Sequence, residues 1–244
     1  TRRFAESDSL YQRAIAIRRA LFGDRHPDVL TSRNSYANLL AEMGEHVRAV
    51  AQYDELEAAS QAVYGDRHPS LAAIANNRGV SLRALGRLDQ AATAFQRSID
   101  VANATLPAGH ANRAHGLLGL GRVRRDQGRL ADSERRIREA LSIRRGALAS
   151  GHRDIGEALA ELGETLTRRG RFGEAEEALV ESHTLLLAAE GEGSGRVRSV
   201  RARADALYAA WRRADGARRI PSATPAAGAP VAPDSAGAAS PSVR

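Results

Sequence analysis

The chain has 244 residues, of which 43% are hydrophobic and 4% aromatic, and it carries a formal net charge of +7 with no cysteine. All 36 of its basic residues are arginine, so a phosphate-loop lysine, a Schiff-base lysine, thiol nucleophiles, disulfides and thiolate metal sites are excluded together. The charge excess is local: residues 1–195 hold 27 Arg against 26 Asp or Glu, while residues 196–220 hold eight Arg against Asp205 and Asp215, so no basic face runs along the chain and nucleic acid is not an expected partner.

Taken from the N-terminus, residues 3–22 place Tyr11, Ala14, Ile15 and Ile17 on one side of a predicted helix. After it, two landmarks recur every 42 residues. A Gly-x-x-x-x-Ala/Ser signature pairs Gly44 with Ala49, Gly86 with Ala91, Gly128 with Ser133 and Gly170 with Ala175, and His26, His68, His110 and His152 keep the same interval. Two independent markers in one register predict a stacked array, in which each unit buries its apolar face only against its neighbours. Each unit reads as a helix A after the histidine, a glycine turn, and a helix B. The expected pairs are 28–43 with 46–64, 70–85 with 88–105, 112–127 with 130–148, and 154–169 with 172–189.

Pro27 and Pro69 suit the first turn of helix A, where a missing N–H costs nothing. Tyr53, Phe95, Ile137 and Leu179 share one rung of helix B, and Ala59, Val101, Ile143 and Leu185 a second; both are expected in a continuous buried seam. Ala37, Gly79, Gly121 and Gly163 also hold register. Glycine inside a helix costs ~1 kcal/mol relative to alanine, so these positions imply close approach of the paired helix.

The fifth unit departs from the pattern. Its loop, residues 191–195, is expected to act as a flexible joint, and Arg212 stands where the turn glycine belongs. Helix 197–214, with Val197, Val200, Ala204, Leu207, Tyr208 and Trp211, is expected to cap a 1–215 array. Residues 216–244, rich in Ala, Pro, Ser and Gly, are expected to form a disordered tail. Helix 3–22 has no helix A of its own, which points to a chain shortened at its start and leaves self-association through that bare side as an expectation. No apolar run approaches the ~20 residues a membrane span requires, and a cytoplasmic setting is expected.

The periodic histidines do not predict a metal site. Equivalent positions in stacked units stand at least ~8–10 Å apart, whereas zinc ligands must lie within ~2.1 Å of one ion. Gly116 to Val123 belongs to a predicted helix and follows no strand, so it is not a dinucleotide loop. No nucleophile elbow is present. Catalysis, metal and cofactor are therefore not expected within these residues.

The string Leu-Tyr-x-Arg-Ala-Ile-Ala-Ile-Arg-Arg at 10–19, the Gly-Asp-Arg-His-Pro strings at 23–27 and 65–69, Asn34 and the Gly44 turn together resemble the 42-residue tetratricopeptide repeat of the kinesin light chain type. Armadillo and HEAT repeats have a comparable period but do not account for the turn signature. The resemblance implies an all-α, right-handed superhelical solenoid whose A helices line a concave groove that holds a peptide or protein segment. Carried over residue by residue, it places Asn34, Asn38, Asn76, Asn77, Arg83, Arg122, Arg125, Glu164 and Arg168 in that groove. Amides offer both donor and acceptor to a peptide backbone, and the arginines would favour an acidic segment. Similar arrays form the C-terminal part of bacterial serine/threonine kinases and signalling ATPases, and the ending from Asp205 to Arg219 resembles the last helix of kinase-linked arrays. A regulatory region of such an enzyme is the alternative expectation to a scaffold.

Overall fold

The computed structural model describes residues 2–216, with side chains from 6 to 214. Among the described residues ten helices follow one another: α1 (Arg2–Phe22), α2 (Pro27–Glu42), α3 (His46–Tyr64), α4 (Pro69–Ala84), α5 (Leu88–Thr105), α6 (Arg113–Asp126), α7 (Leu130–Ala147), α8 (Arg153–Arg168), α9 (Phe172–Glu190) and α10 (Gly195–Gly216). No strand occurs among the described residues. The expected tail lies outside them, except for Gly216. Helices α2 to α9 form four antiparallel A–B pairs, and the whole is a right-handed superhelical solenoid. No described helix is long and apolar enough to cross a membrane.

The glycine landmark is a backbone requirement. Gly44, Gly86, Gly128 and Gly170 all have φ between 72° and 80°, a region that other residues enter at a cost. At the first turn Gly44 N–H donates to Ala41 and Glu45 N–H to Leu40, and the same pair of bonds recurs at the other three. This pair of hydrogen bonds closes the end of helix A, and helix B starts two residues after the glycine.

The histidine landmark is a helix cap at His26, His68 and His152, and at His110 it braces the turn before α6, whose N-cap position is Asn112. Nδ1 of His26, His68, His110 and His152 accepts the backbone N–H two residues ahead, from Asp28 (3.2 Å), Ser70 (3.3 Å), Asn112 (3.1 Å) and Asp154 (3.1 Å). The rings of His26 and His68 also stack on Phe22 and Tyr64, the last residues of the preceding helices, at 4.7 and 4.3 Å. Ser194, one period after His152, does the same work in the fifth unit: its Oγ accepts from Arg196 N–H at 3.1 Å. The 191–195 loop is thus a capped helix start, not the open joint its glycines suggest. Substituting His152→Ala is expected to cost about 1 kcal/mol, and His152→Asn much less. Equal losses from the two, measured in urea unfolding, would remove the capping role.

Tyr53, Phe95, Ile137 and Leu179 are all fully buried. The second expected rung is different. Val101 is buried, but Ala59, Ile143 and Leu185 are only partly so. Six residues turn a helix through about 240° beyond a full revolution, whereas seven return nearly to the same face. The seam therefore continues through Leu56, Ser98, Ala140 and Ser182, then Ser60, Ala102, Arg144 and Leu186. Ser98 and Ser182 satisfy themselves by donating to the carbonyls of Ala72 (2.8 Å) and Gly156 (2.7 Å). The in-register glycines face this seam: a Cβ on Gly79 would stand 2.9 Å from Phe95, on Gly121 2.7 Å from Ile137, and on Gly163 2.6 Å from Leu179.

Candidate functional site

Successive A helices α2, α4, α6, α8 and α10 bring their Cα atoms within 8 Å of one another, while no two successive B helices do so among the described residues. The side on which neighbours crowd is the inside of the curve. The A helices therefore line a concave face, and its chemistry changes along its length.

Its first half is lined by amides. Asn38 Oδ1 accepts from Tyr53 Oη (2.6 Å) and from Asn77 Nδ2 (3.0 Å), and Asn77 Oδ1 accepts from Asn76 Nδ2 (3.1 Å). Burial pushes the Tyr53 phenol well above its usual pKa, so it stays a donor to Asn38. Asn34 Oδ1 is buried without a hydrogen-bond partner. Asn76 and Asn77 line a cleft of about 290 Å³ with Pro69, Ala73, Asn112 and His115. Asn34 lines an adjoining cleft of about 220 Å³ with Thr31, Tyr64, His68 and again Ala73. The two meet at Ala73, which makes one trough across α2, α4 and α6. His115 is solvent-accessible but set deep in the concavity, and desolvation followed by the nearby Arg144 guanidinium lowers its pKa. At neutral pH it is an uncharged donor and acceptor.

The second half is charged but internally paired. Arg83 reaches Asp126 at 2.6 Å. Arg122 meets Glu157 (2.6 Å) and Glu161 (3.2 Å), and Arg125 meets Glu161 (2.8 Å) and Glu164 (3.3 Å). Glu164 also holds Arg168 at 2.9 Å. Arg203 of α10 closes the cluster on Glu161 (2.8 Å) and Glu164 (3.3 Å). Arg144, only 2% exposed, donates to the Asp154 carbonyl (2.6 Å) and to Glu157 (3.2 Å). Desolvation alone would raise the Glu161 pKa, but the guanidiniums of Arg122, Arg125 and Arg203 outweigh it and hold the carboxyl far below the usual range. The groove arginines expected to attract an acidic segment thus already have carboxylate partners, one unit along the array for Arg83, Arg122 and Arg125 and on the same helix for Arg168.

Of the residues expected in the groove, the structure brings Asn38, Asn76 and Asn77 into one hydrogen-bonded row and sets Asn34 beside it. It assigns Arg122, Arg125, Glu164 and Arg168 to a separate network and pairs Arg83 with Asp126. Sequence reasoning missed Ala73, His115, Glu157, Glu161 and Arg203. The first three share one register with Thr31, one helical turn before the Ser35, Asn77, Gly119 and Glu161 register, and that spacing was the available signal.

No curated protein matches this chain. Among solved structures, one described as a Podosopora anserina kinesin light chain with nearly identical TPR-like repeats is 20% identical, covers 77% of this chain and 89% of its own, and superposes with a TM-score of 0.61. BtubC (BKLC) from P. vanneervenii is 19% identical over 79% of this chain and 76% of its own, with a TM-score of 0.66. At these identities the likeness establishes the fold alone. The family pattern itself matches residues 1–59, 34–104 and 112–188. With helix pairs and turn glycines in one register and the family pattern matching most of the chain, the chain belongs to the tetratricopeptide repeat family.

Proposed function

We propose that this protein-interaction scaffold binds a partner segment along the amide-lined trough of α2, α4 and α6. The observation that carries the reading is the row Asn38, Asn77 and Asn76 on the concave face, flanked by two clefts that meet at Ala73. Such a surface suits an extended backbone with uncharged polar side chains: the amides and neutral His115 both donate and accept, and Ala73 leaves room for the chain to lie close. The charged half contributes shape more than attraction, because its arginines are engaged by Glu157, Glu161 and Glu164 and screened from a further anion.

Peptides selected on the wild-type chain from a random display library provide the test. Asn76→Ala with Asn77→Ala is expected to weaken their binding at least tenfold, about 1.4 kcal/mol, while the array stays folded with a thermal midpoint lowered only slightly by loss of the Asn77–Asn38 bond. Arg168→Ala, on an exposed residue paired with Glu164, should leave binding within twofold. Retention of affinity by the asparagine variant would sink the assignment, and a peptide pool dominated by Asp and Glu would overturn the neutral-segment reading.

A further inference from the structure

The two clefts of the trough are one cavity repeated. Pro27, Asn34 and Tyr64 line the first, and Pro69, Asn76 and Leu106, each 42 residues further on, line the second. The following A helix walls each of them, with Ser70 and Ala73 at the first and Asn112 and His115 at the second. Solenoid geometry thus presents the same hollow once per unit, and the side chains around it decide whether it is filled.

Units three and four fill that hollow from within. Where the first two units carry Ser60 and Ala102 on helix B, the third carries Arg144 and the fourth Leu186. Arg144 lays its guanidinium against the Asp154 carbonyl and Glu157, the counterparts of Asn112 and His115. Leu186 is 1% exposed and packs on Gly156, the counterpart of the wall residues Leu30 and Ala72. Serine and alanine are too short to do this, so clefts of about 220 and 290 Å³ stay open in units one and two. The chain itself therefore shows what the hollow accepts: one long side chain with an aliphatic stem.

On the reading that the trough receives a partner segment, we infer that its two clefts are tandem side-chain subsites for that segment. Each takes one long uncharged side chain, glutamine fitting best, and the two come from positions three residues apart. Among the residues lining either cleft none is Arg, Asp or Glu, so a charged side chain would lie there without a counter-ion. Asn34 Oδ1, buried and unpaired beside the first cleft, calls for a donor. Glutamine supplies an amide donor on an aliphatic stem, and in the second cleft its oxygen can accept from Asn76, Asn112 or His115. Spacing follows from geometry. Neighbouring packed helices stand ~8–10 Å apart, and a polyproline chain returns a side chain to the same face after three residues, or ~9 Å. A β-strand does so after two residues and ~7 Å, which falls short.

Synthetic Ala/Pro/Ser dodecamers carrying two glutamines with one, two or three residues between them measure this directly, by fluorescence anisotropy on the full chain. The pair with two residues between is expected to bind about tenfold tighter than either other spacing or a single-glutamine peptide. Ser60→Leu gives the first unit the filling of the fourth and should reduce that peptide to single-glutamine affinity. Ala102→Leu should do the same from the second cleft. Asn34→Leu, which removes the acceptor without filling the hollow, should shift the preference at the first position from glutamine to leucine. Equal affinity at all three spacings, or binding at none, would overturn the inference. A spacing preference that survives Ser60→Leu and Ala102→Leu in chains of unchanged helicity would overturn it as well. The library peptides keep the two failures apart: if they still lose affinity on Asn76→Ala with Asn77→Ala, the trough stands and only its subsites fall.

Discussion

Phe95→Ala is expected to cost about 3–5 kcal/mol, at the upper end for such a truncation. The ring of this fully buried residue enters a slot with glycine on two sides: a Cβ on Gly79 would stand 2.9 Å from it and one on Gly119 2.1 Å. The cost of a cavity depends on how far the surroundings can collapse, and glycines have no side chains with which to do so. A sign reversal makes this specific. In the wild-type chain Gly119→Ala should destabilise, because overpacking against the ring exceeds the ~1 kcal/mol gained in helix propensity. In the Phe95→Ala background the same change should stabilise, since the methyl enters empty space. Urea unfolding of the four proteins checks this, and additive effects would refute the slot.

Glu161→Gln should weaken the C-terminal units by about 3–5 kcal/mol, because it leaves Arg122, Arg125 and Arg203 around an uncharged group of the same shape. Units in a solenoid stabilise one another only through their nearest neighbours. The loss should therefore appear first in α8 to α10, read by the single Trp211, which stacks on Phe172 at 5.8 Å. The pH dependence has a defined sign. The folded carboxyl titrates far below its unfolded value of 4.5, so its contribution is complete above about pH 5 and is lost as the pH falls below that. Wild type should thus lose stability between pH 5 and 3 more steeply than Glu161→Gln. Glu139→Gln, on an exposed carboxylate paired only with Arg136, should change stability by less than about 0.5 kcal/mol. Parallel pH profiles for wild type and Glu161→Gln would contradict the assigned role.

What could be read from the sequence follows from the range of the interactions. Gly44 and its counterparts are dictated by a local φ, and His26 and its counterparts by a bond to the second residue ahead, so a period in the letters is a period in the backbone. The close-approach glycines were legible for the same reason, because a glycine inside a helix must answer to a neighbour. The groove was legible in residue type but not in state. Asn38 and Asn77 carry their hydrogen-bonding capacity in their amides, whereas an arginine is an anion receptor only if no carboxylate reaches it first. Arg122 finds Glu157, and Arg125 finds Glu161, each on the next A helix and about two turns back in register. That pairing depends on how far one unit is rotated from the next. Arg144 is the extreme case: it occupies a core register shared with Ser60, Ala102 and Leu186, and only the folded chain supplies the Asp154 carbonyl and Glu157 that make its burial tolerable.

The crowding of A helices against one another, with B helices held apart, also sets the mechanics of the array. Its inner edge is stitched by Asn38 to Asn77, Arg83 to Asp126 and Glu161 to Arg203, while its outer edge is bridged by partly exposed ion pairs between successive B helices, Arg48 to Asp8, Arg97 to Glu57 and Arg145 to Glu181, which open at little cost. Any bending that spreads the A helices is therefore resisted first by the inner contacts, and the array acts as a leaf spring whose tension rises as its concave side is opened.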